Sequence, residues 1–221
     1  MLASLVLAGT ANIAEAACKP KPAPRVEVRI FRYGGVESDT ARNKFSLFHR
    51  ILVEKLKHLQ YEAISDEVGT GYLDKLRIIP RDITSIPLPP EGLREQRTGW
   101  EMWNALVLLS GGLDEERGVY QVTSSIYWGD LKPEGLPETI YARMPVTPEG
   151  QRNASDTHSL VTLLALAIDA KRRECPSALV LHLLQRAEEK ATDIERRNEL
   201  EGDLVKVKAY VEAEIKTLLR Q

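Results

Sequence analysis

Two cysteines are the residues of this chain whose chemistry the sequence constrains most closely. Cys18 and Cys175 are the only thiols in 221 residues, too few for a disulfide-dense miniprotein or a multi-cysteine zinc site. Three fates are open for Cys18: a lipid anchor, one half of a disulfide, or a free thiol. A lipid anchor requires an apolar residue three positions earlier, and Glu15 lies there. Glu15 therefore argues against lipid attachment.

The first 16 residues are predicted to form a signal peptide. Leu2 to Ala11 is apolar but too short to span a bilayer, as is typical of a signal-peptide core. Ala14 and Ala16 supply the small residues that a signal peptidase requires before the cleavage point. No Lys or Arg precedes the apolar run, so an earlier start and a buried N-terminal helix or strand are the alternatives. We favour a periplasmic or secreted location over a lipid-anchored one.

An oxidising compartment makes Cys175 the natural partner of Cys18, because disulfides form and persist in such compartments. We therefore rank a Cys18–Cys175 disulfide first, a free thiol second and a lipid anchor last. The bridge would hold the N-terminal segment at the junction between an apolar helix and the C-terminal tail. Residues 17–24, "ACKPKPAP", are predicted to be an extended tether, because proline fixes φ and lacks an N–H donor.

No other group of residues predicts catalysis or metal binding. The four histidines are far apart in the sequence: His49, His58, His158 and His182. The chain has no HExxH or CxxC sequence, and Ser124 and Ser125 lie outside any GxSxG sequence. The carboxylates of "DEERG" are expected in solvent, where they are poor general acids. We predict a protein that is not an enzyme and has no metal and no cofactor.

Charge and composition narrow the classes of partner. The net charge is −2, which favours neither nucleic acid nor an anionic membrane surface. A chain of 221 residues can form one medium domain, or one domain with a helical appendage, and a hydrophobic content of 43% is enough for its core. No membrane span is expected once the signal peptide is removed.

Strands and helices are predicted to alternate before the middle of the chain. "RVEVRIF" alternates charged and apolar residues as a half-buried strand does, and "YGGVESD" breaks that pattern. The apolar residues of 40–59 recur at helical spacing. "QYEAI" and "KLRIIP" are predicted as short strands, and residues 80–99 as a surface loop rich in proline and glycine.

The middle of the chain predicts an antiparallel hairpin followed by a buried helix. "ALVLLSGGLDEERGVYQVTSSIYW" has two strand-like runs around a turn, with Gly111 and Gly112 marking a bulge or bend. "ETIYARMPV" is predicted as a third strand. Ser155 is predicted to cap the apolar helix "DTHSLVTLLALAIDAKRR". Residues 25–173 are therefore expected to form one α+β domain, a mixed or antiparallel sheet with two packed helices.

Residues 174–221 are predicted to form a C-terminal helical hairpin, because apolar residues recur there at three- and four-residue steps. This apolar seam either packs on its own domain or docks on a partner or a second copy. Exposed aromatic residues of the sheet could likewise hold a ligand or a partner, with core packing as the alternative. The residues predicted to contact a ligand or partner are Trp100, Trp103, Trp128, Leu204, Val207 and Val211.

The order of elements resembles the N-terminal domain of TolB and the related domain of CsgG-like bacterial envelope proteins. The resemblance rests on "VEVRIF", "FSLFHRILVEKL", "ALVLLSGGLDEERGVYQVTSSIYWGD" and "SLVTLLALAIDA", and covers about residues 25–172. This chain differs in its long proline loop and in having no propeller repeats afterwards. The resemblance implies a non-enzymatic α+β module that serves assembly or docking in a bacterial envelope.

The sequence thus predicts a non-enzymatic exported envelope protein that acts by protein–protein docking or assembly. An unidentified protein partner is expected, and the hairpin could also join copies of the chain into a homo-oligomer. The alternative function is a periplasmic protein that binds a small ligand between the middle sheet and the proline loop. An enzyme assembled from scattered residues is the third hypothesis.

Overall fold

The computed structural model describes residues 18, 26–32, 34–35, 50–58, 76–84, 105–116, 119–128, 131–197, 200 and 202–220. Within these ranges the chain forms six strands and four helices. The predicted α+β fold with a mixed sheet, packed helices and a C-terminal helical hairpin is confirmed. The predicted strand "QYEAI" lies outside the described residues.

The strands form one mixed sheet. They are β1 (Val26–Arg32), β2 (Gly34–Gly35), β3 (Leu76–Thr84), β4 (Ala105–Glu116), β5 (Val119–Tyr127) and β6 (Thr139–Pro145). The sheet order is β3-β1-β4-β5-β6, and β2 also pairs with β4. β1 runs parallel to β3 and β4, whereas β4, β5 and β6 form an antiparallel meander.

Three local features of the strands differ from the predictions. The stretch "YGGVESD" was predicted to break the strand pattern, but Gly34 and Gly35 pair with β4, opposite Gly112 and Leu113. Gly111 and Gly112 were predicted to mark a bulge or a bend, and the bulge is absent from the described pairing of β4 with β5, whose register is continuous there. β3 extends to Thr84, beyond the start of the predicted loop. It is the last strand on its side of the described sheet, and an edge position tolerates its proline.

Four helices accompany the sheet. α1 includes residues 50–58, and it is followed by α2 (Pro148–Arg172), α3 (Ser177–Arg197) and α4 (Asp203–Leu218). α2 packs against β4, β5 and β6 and also against α3, and α4 packs mainly against α3. α2 is consequently buried on nearly all sides, as its apolar sequence predicted. Within the described residues, the helices are too polar or too short to cross a bilayer.

α2 begins earlier than predicted. Thr147 is its N-cap, and the Thr147 hydroxyl oxygen accepts a hydrogen bond from the Gly150 N–H at 3.0 Å. Pro148 follows at the first helical position, which suits proline because that N–H has no helical partner. Ser155 is therefore not the cap, and its hydroxyl donates to the Gln151 carbonyl oxygen at 2.9 Å inside the helix.

Gly150 lets the first turn of α2 lie directly against the end of β6. A Cβ atom at this position would lie 1.9 Å from the Pro145 carbonyl oxygen. A side chain therefore cannot be added without moving the helix away from the strand. Glycine at this position fixes how closely the helical layer meets the sheet.

Candidate functional site

The junction between α2 and α3 is a tight backbone turn. Glu174 adopts a left-handed conformation with φ of 52°. The Glu174 N–H donates to the Lys171 carbonyl oxygen at 3.1 Å, and the Cys175 N–H donates to the Ala170 carbonyl oxygen at 3.0 Å. These two hydrogen bonds are those of a Schellman motif, which satisfies the last carbonyl groups of a helix. The motif fixes the backbone of Cys175 at the end of α2.

A disulfide joins Cys175 to Cys18 across a sequence separation of 157 residues. The two Cα atoms lie 4.2 Å apart, within reach of a disulfide. Cys175 is 8% exposed and belongs to the hydrophobic core, whereas Cys18 is half-buried against that core. The predicted Cys18–Cys175 disulfide is confirmed.

Two ion pairs hold the same junction. The Arg173 guanidinium lies 2.7 Å from the Asp169 carboxylate, and the side chains are 7% and 1% exposed. Removing one member of such a pair would leave a buried charge uncompensated, which is strongly destabilising. The Lys171 ammonium donates to the Glu214 carboxylate at 2.6 Å and so ties α2 to α4. The i,i+4 spacing of Asp169 and Arg173 could have revealed the first pair, but sequence analysis missed both.

Tyr210 adds a titratable group to this region. Partial burial, followed by the charge of Glu214 and a hydrogen bond to it, raises the pKa of Tyr210 to about 12, against an opposing effect of Arg172. The phenol therefore stays protonated at neutral pH and donates to the carboxylate that also accepts from Lys171. Glu214 thus joins α4 to the end of α2 through a side chain that is 20% exposed.

A second polar contact joins α2 to α3. The Arg197 Nε–H donates to the side-chain amide oxygen Oδ1 of Asn153 at 2.7 Å, and the Arg197 Nη2 contacts the Asp156 carboxylate. The Lys190 ammonium lies 3.7 Å from the same carboxylate. These side chains supply one another's ion-pair and hydrogen-bond partners across the interface between α2 and α3. Their contacts indicate a structural role.

The predicted docking seam is closed inside the protein. Leu204 is 8% exposed, and Val207 and Val211 are fully buried in the core shared by α2, α3 and α4. α4 uses its apolar stripe to cover α3, and ion pairs such as that between Lys208 and Glu195, at 2.6 Å, close the interface at its rim. These three residues therefore do not present an exposed surface to a partner.

Trp128 is also in the core, with 1% of its surface exposed. Its indole N–H donates to the Pro137 carbonyl oxygen at 2.8 Å. Leu131 and Leu136 in the same loop are buried in that core. Trp128 thus anchors the loop between β5 and β6 and is not available to a ligand. Trp100 and Trp103 lie outside the described residues.

His158 is the one histidine that is fully buried among the described residues. Its Nδ1 lies 2.5 Å from the Ala154 carbonyl oxygen, one turn earlier in α2. Burial lowers the pKa of His158 to about 4, although the backbone hydrogen bond acts in the opposite direction. The imidazole is therefore neutral at pH 7 and donates through Nδ1. Nothing in the sequence beyond its place in an apolar run marked this residue.

The described residues contain no cluster of three or more His, Cys, Asp or Glu side chains that could hold a metal ion. The chemically distinctive feature of the described structure is accordingly the disulfide at the α2–α3 junction. Among the predicted site residues that the structure describes, Cys18 and Cys175 are joined covalently.

No family model and no curated protein matches the chain. The chain is similar to a variant of the PelC dodecamer from Paraburkholderia phytofirmans, with 20% identity, a TM-score of 0.27, and coverage of 58% of this chain and 77% of that chain. A second PelC dodecamer structure from the same organism has 15% identity and a TM-score of 0.26, and the match covers 61% of this chain and 84% of that one. Similarity at this level establishes neither a common fold nor a common assembly.

Proposed function

We propose that this chain is an exported, non-enzymatic envelope protein that acts by protein–protein docking or assembly. The Cys18–Cys175 disulfide carries the proposal, because structural disulfides are rare in reducing cytosol and persist in the periplasm or outside the cell. A sulfur atom in a disulfide also cannot hold a lipid thioether. A periplasmic or secreted form is therefore preferred to a lipid-anchored one.

The use of the polar side chains supports a docking role over catalysis. Asp156 is occupied by Arg197 and Lys190 between two helices. Asp169 and Glu214 are paired in the same way at the α2–α3 junction. A general acid or base needs access to a substrate and a suitable pKa, whereas these carboxylates are committed to holding helices together.

Because the apolar seam of the hairpin is buried, the proposed contact lies on the outer side of the hairpin. The large hydrophobic residues exposed in the described regions are Tyr141 at 40%, Val205 at 49% and Leu219 at 66%. Val205 lies in the first turn of α4 and Leu219 directly follows its last residue, so assembly of copies or docking through the hairpin would use its outward side. The alternative of a small-ligand site loses the support of Trp128, which is buried.

The experiment for export is mass spectrometry of the mature protein purified from an exporting cell. The proposal expects an N-terminus near Ala17 and a mass two hydrogens below that of the reduced form. Blocking with iodoacetamide before reduction should leave both cysteines unlabelled. Two free thiols, an uncleaved leader, or a lipid mass on Cys18 would contradict the proposed location.

Docking is tested with Val205→Glu and Leu219→Glu, separately and together, with Gln185→Glu as the control, because it adds the same charge at an exposed position of α3. The charged variants should weaken self-association in light scattering, or lose a partner recovered by cross-linking in the native envelope. The control should not do so. An unchanged monomer together with an unchanged cross-linking pattern in both variants would contradict docking through the outside of α4.

A further inference from the structure

We propose that the Cys18–Cys175 disulfide is a reversible redox bond in which one sulfur atom is attacked selectively. An incoming thiolate attacks Cys18, and Cys175 is the leaving group. Cys175 is later the thiol that forms the bond again. The proposal uses the same disulfide as the proposed function, but it does not depend on docking. The class of reactant is a protein dithiol of the CxxC type. The sequence does not show which of the two sulfur atoms is the more exposed, whereas the fold does.

The two ends of the bond differ in access. Cys175 is 8% exposed and is a member of the core, while Cys18 keeps part of its surface in solvent. In thiol–disulfide exchange the thiolate approaches a sulfur atom along the S–S axis, on the side away from the leaving sulfur. Cys175 is packed in the hydrophobic core, so little of its surface is open to an attacking thiolate, whereas Cys18 lies against the core with part of its surface in solvent. Access of this kind sets which sulfur reacts.

The two ends also differ in what holds them after the bond breaks. Cys175 stays in the Schellman motif through its N–H bond to Ala170, at 3.0 Å. The Asp169–Arg173 and Lys171–Glu214 ion pairs fix the end of α2, which Cys175 follows. None of these contacts involves a sulfur atom of the disulfide. The Cys175 thiol is consequently held ready for reclosure.

The exchange balances without any further reactant. The attacking thiolate forms a new S–S bond with Cys18, and the Cys18–Cys175 bond breaks to release a thiolate on Cys175, which takes up a proton. The second thiol of the CxxC protein then attacks its own mixed disulfide and releases Cys18 as a thiolate. Two electrons pass from the dithiol to the bridge. The reverse sequence oxidises the two cysteines.

Trapping identifies the sulfur that is attacked. The oxidised full-length protein is incubated with a reduced thioredoxin-type protein whose second active-site cysteine is serine, so that the mixed disulfide cannot resolve. Peptide mass spectrometry then locates the new bond. We expect at least about tenfold more adduct on Cys18 than on Cys175. Equal adducts, an excess on Cys175, or no adduct under native conditions would overturn the proposal.

Single variants give an independent measurement. Cys175→Ser leaves only the Cys18 thiol, and Cys18→Ser leaves only the Cys175 thiol. We expect Cys18 to react with a chromogenic disulfide reagent at least about tenfold faster when circular dichroism shows both variants folded. The two rates should become equal in concentrated guanidinium chloride. Where Cys18→Ser does not fold, the trapping experiment alone decides.

Failure of this proposal is distinguishable from failure of the proposed function. Loss of selectivity between the two cysteines leaves an intact bridge and an exported protein. Two free thiols in the mature protein remove the bridge itself, and the proposed location with it.

Discussion

Replacing His158 by asparagine should remove most of one pH-dependent contribution to stability. Asparagine keeps a donor near the position of Nδ1, which donates to the Ala154 carbonyl oxygen, but it cannot take up a proton in this pH range. The variant will be less stable than the wild type at pH 7.5, because a smaller side chain leaves a cavity. The informative quantity is how the difference in unfolding free energy between the two proteins changes with pH.

The magnitude follows from the pKa of His158, which is about 4 in the folded protein against 6.5 for the free side chain. Between these values the unfolded chain binds more protons than the folded one, so stability falls as the pH falls. The contribution is fully present above pH 6.5 and is lost on approach to pH 4. Between pH 7.5 and pH 4.5 the wild type should lose about 2.5 kcal/mol that the variant does not lose.

Urea unfolding followed by far-UV circular dichroism, at half-unit steps from pH 7.5 to pH 4.5, measures this difference. Carboxylates titrate in both proteins, so their effects largely cancel in the comparison. His58→Asn, on the exposed side of α1, controls for the loss of a surface histidine. A difference between wild type and His158→Asn that stays constant within about 0.5 kcal/mol across this range would refute the argument from burial.

Three further substitutions test the packing of α2 and its junction with α3. Gly150→Ala should lower the unfolding free energy by about 2–3 kcal/mol in urea titrations, because the added Cβ would lie 1.9 Å from a backbone oxygen. The same change in an open helix is stabilising. The exposed Arg152→Ala is the control, and a rise in the stability of Gly150→Ala would contradict the close approach of α2 to β6. Glu174→Gly should raise the unfolding free energy by about 0.5–1 kcal/mol, and with it the thermal midpoint, because glycine adopts positive φ without strain. A lower thermal midpoint would contradict the strain at this position. The double variant Cys18→Ala/Cys175→Ala should lower the unfolding free energy by about 5 kcal/mol, according to the chain-entropy model of disulfide stabilisation. The reduced wild type should lose the same amount of unfolding free energy. A loss below about 1 kcal/mol would exclude the chain-entropy model.

The sequence predicted well where one periodic signal dominated. The alternation in β1 predicts a strand, and the long apolar run of α2 predicts a buried helix. The boundaries of the helices were less predictable, because more than one nearby residue can cap a helix. Thr147 and Pro148 offer as good a start as Ser155, and the choice between them depends on where β6 ends. The dipeptide Gly34-Gly35 is equally compatible with a turn, and only the neighbouring strand β4 makes it a strand.

The candidate site was predictable in part. Cys18 and Cys175 could be paired because the chain has no other cysteine. The hairpin stripe predicted an apolar interface, but periodicity does not say whether the other side of that interface is the same chain or a partner. Val207 makes its apolar contacts within the same chain. Pairings such as Lys171 with Glu214 join residues far apart in sequence, and no local pattern specifies them.

The position of the disulfide also determines how the protein would respond to mechanical pulling. Residues 19–174 lie within the covalent loop that the bond closes, while α3 and α4 lie outside it. A force applied between the two termini passes from Cys18 directly to Cys175 and bypasses every strand of the sheet. Only the two C-terminal helices can then be stripped away under load. With the bond intact, the sheet is shielded from tension that enters at the N-terminus.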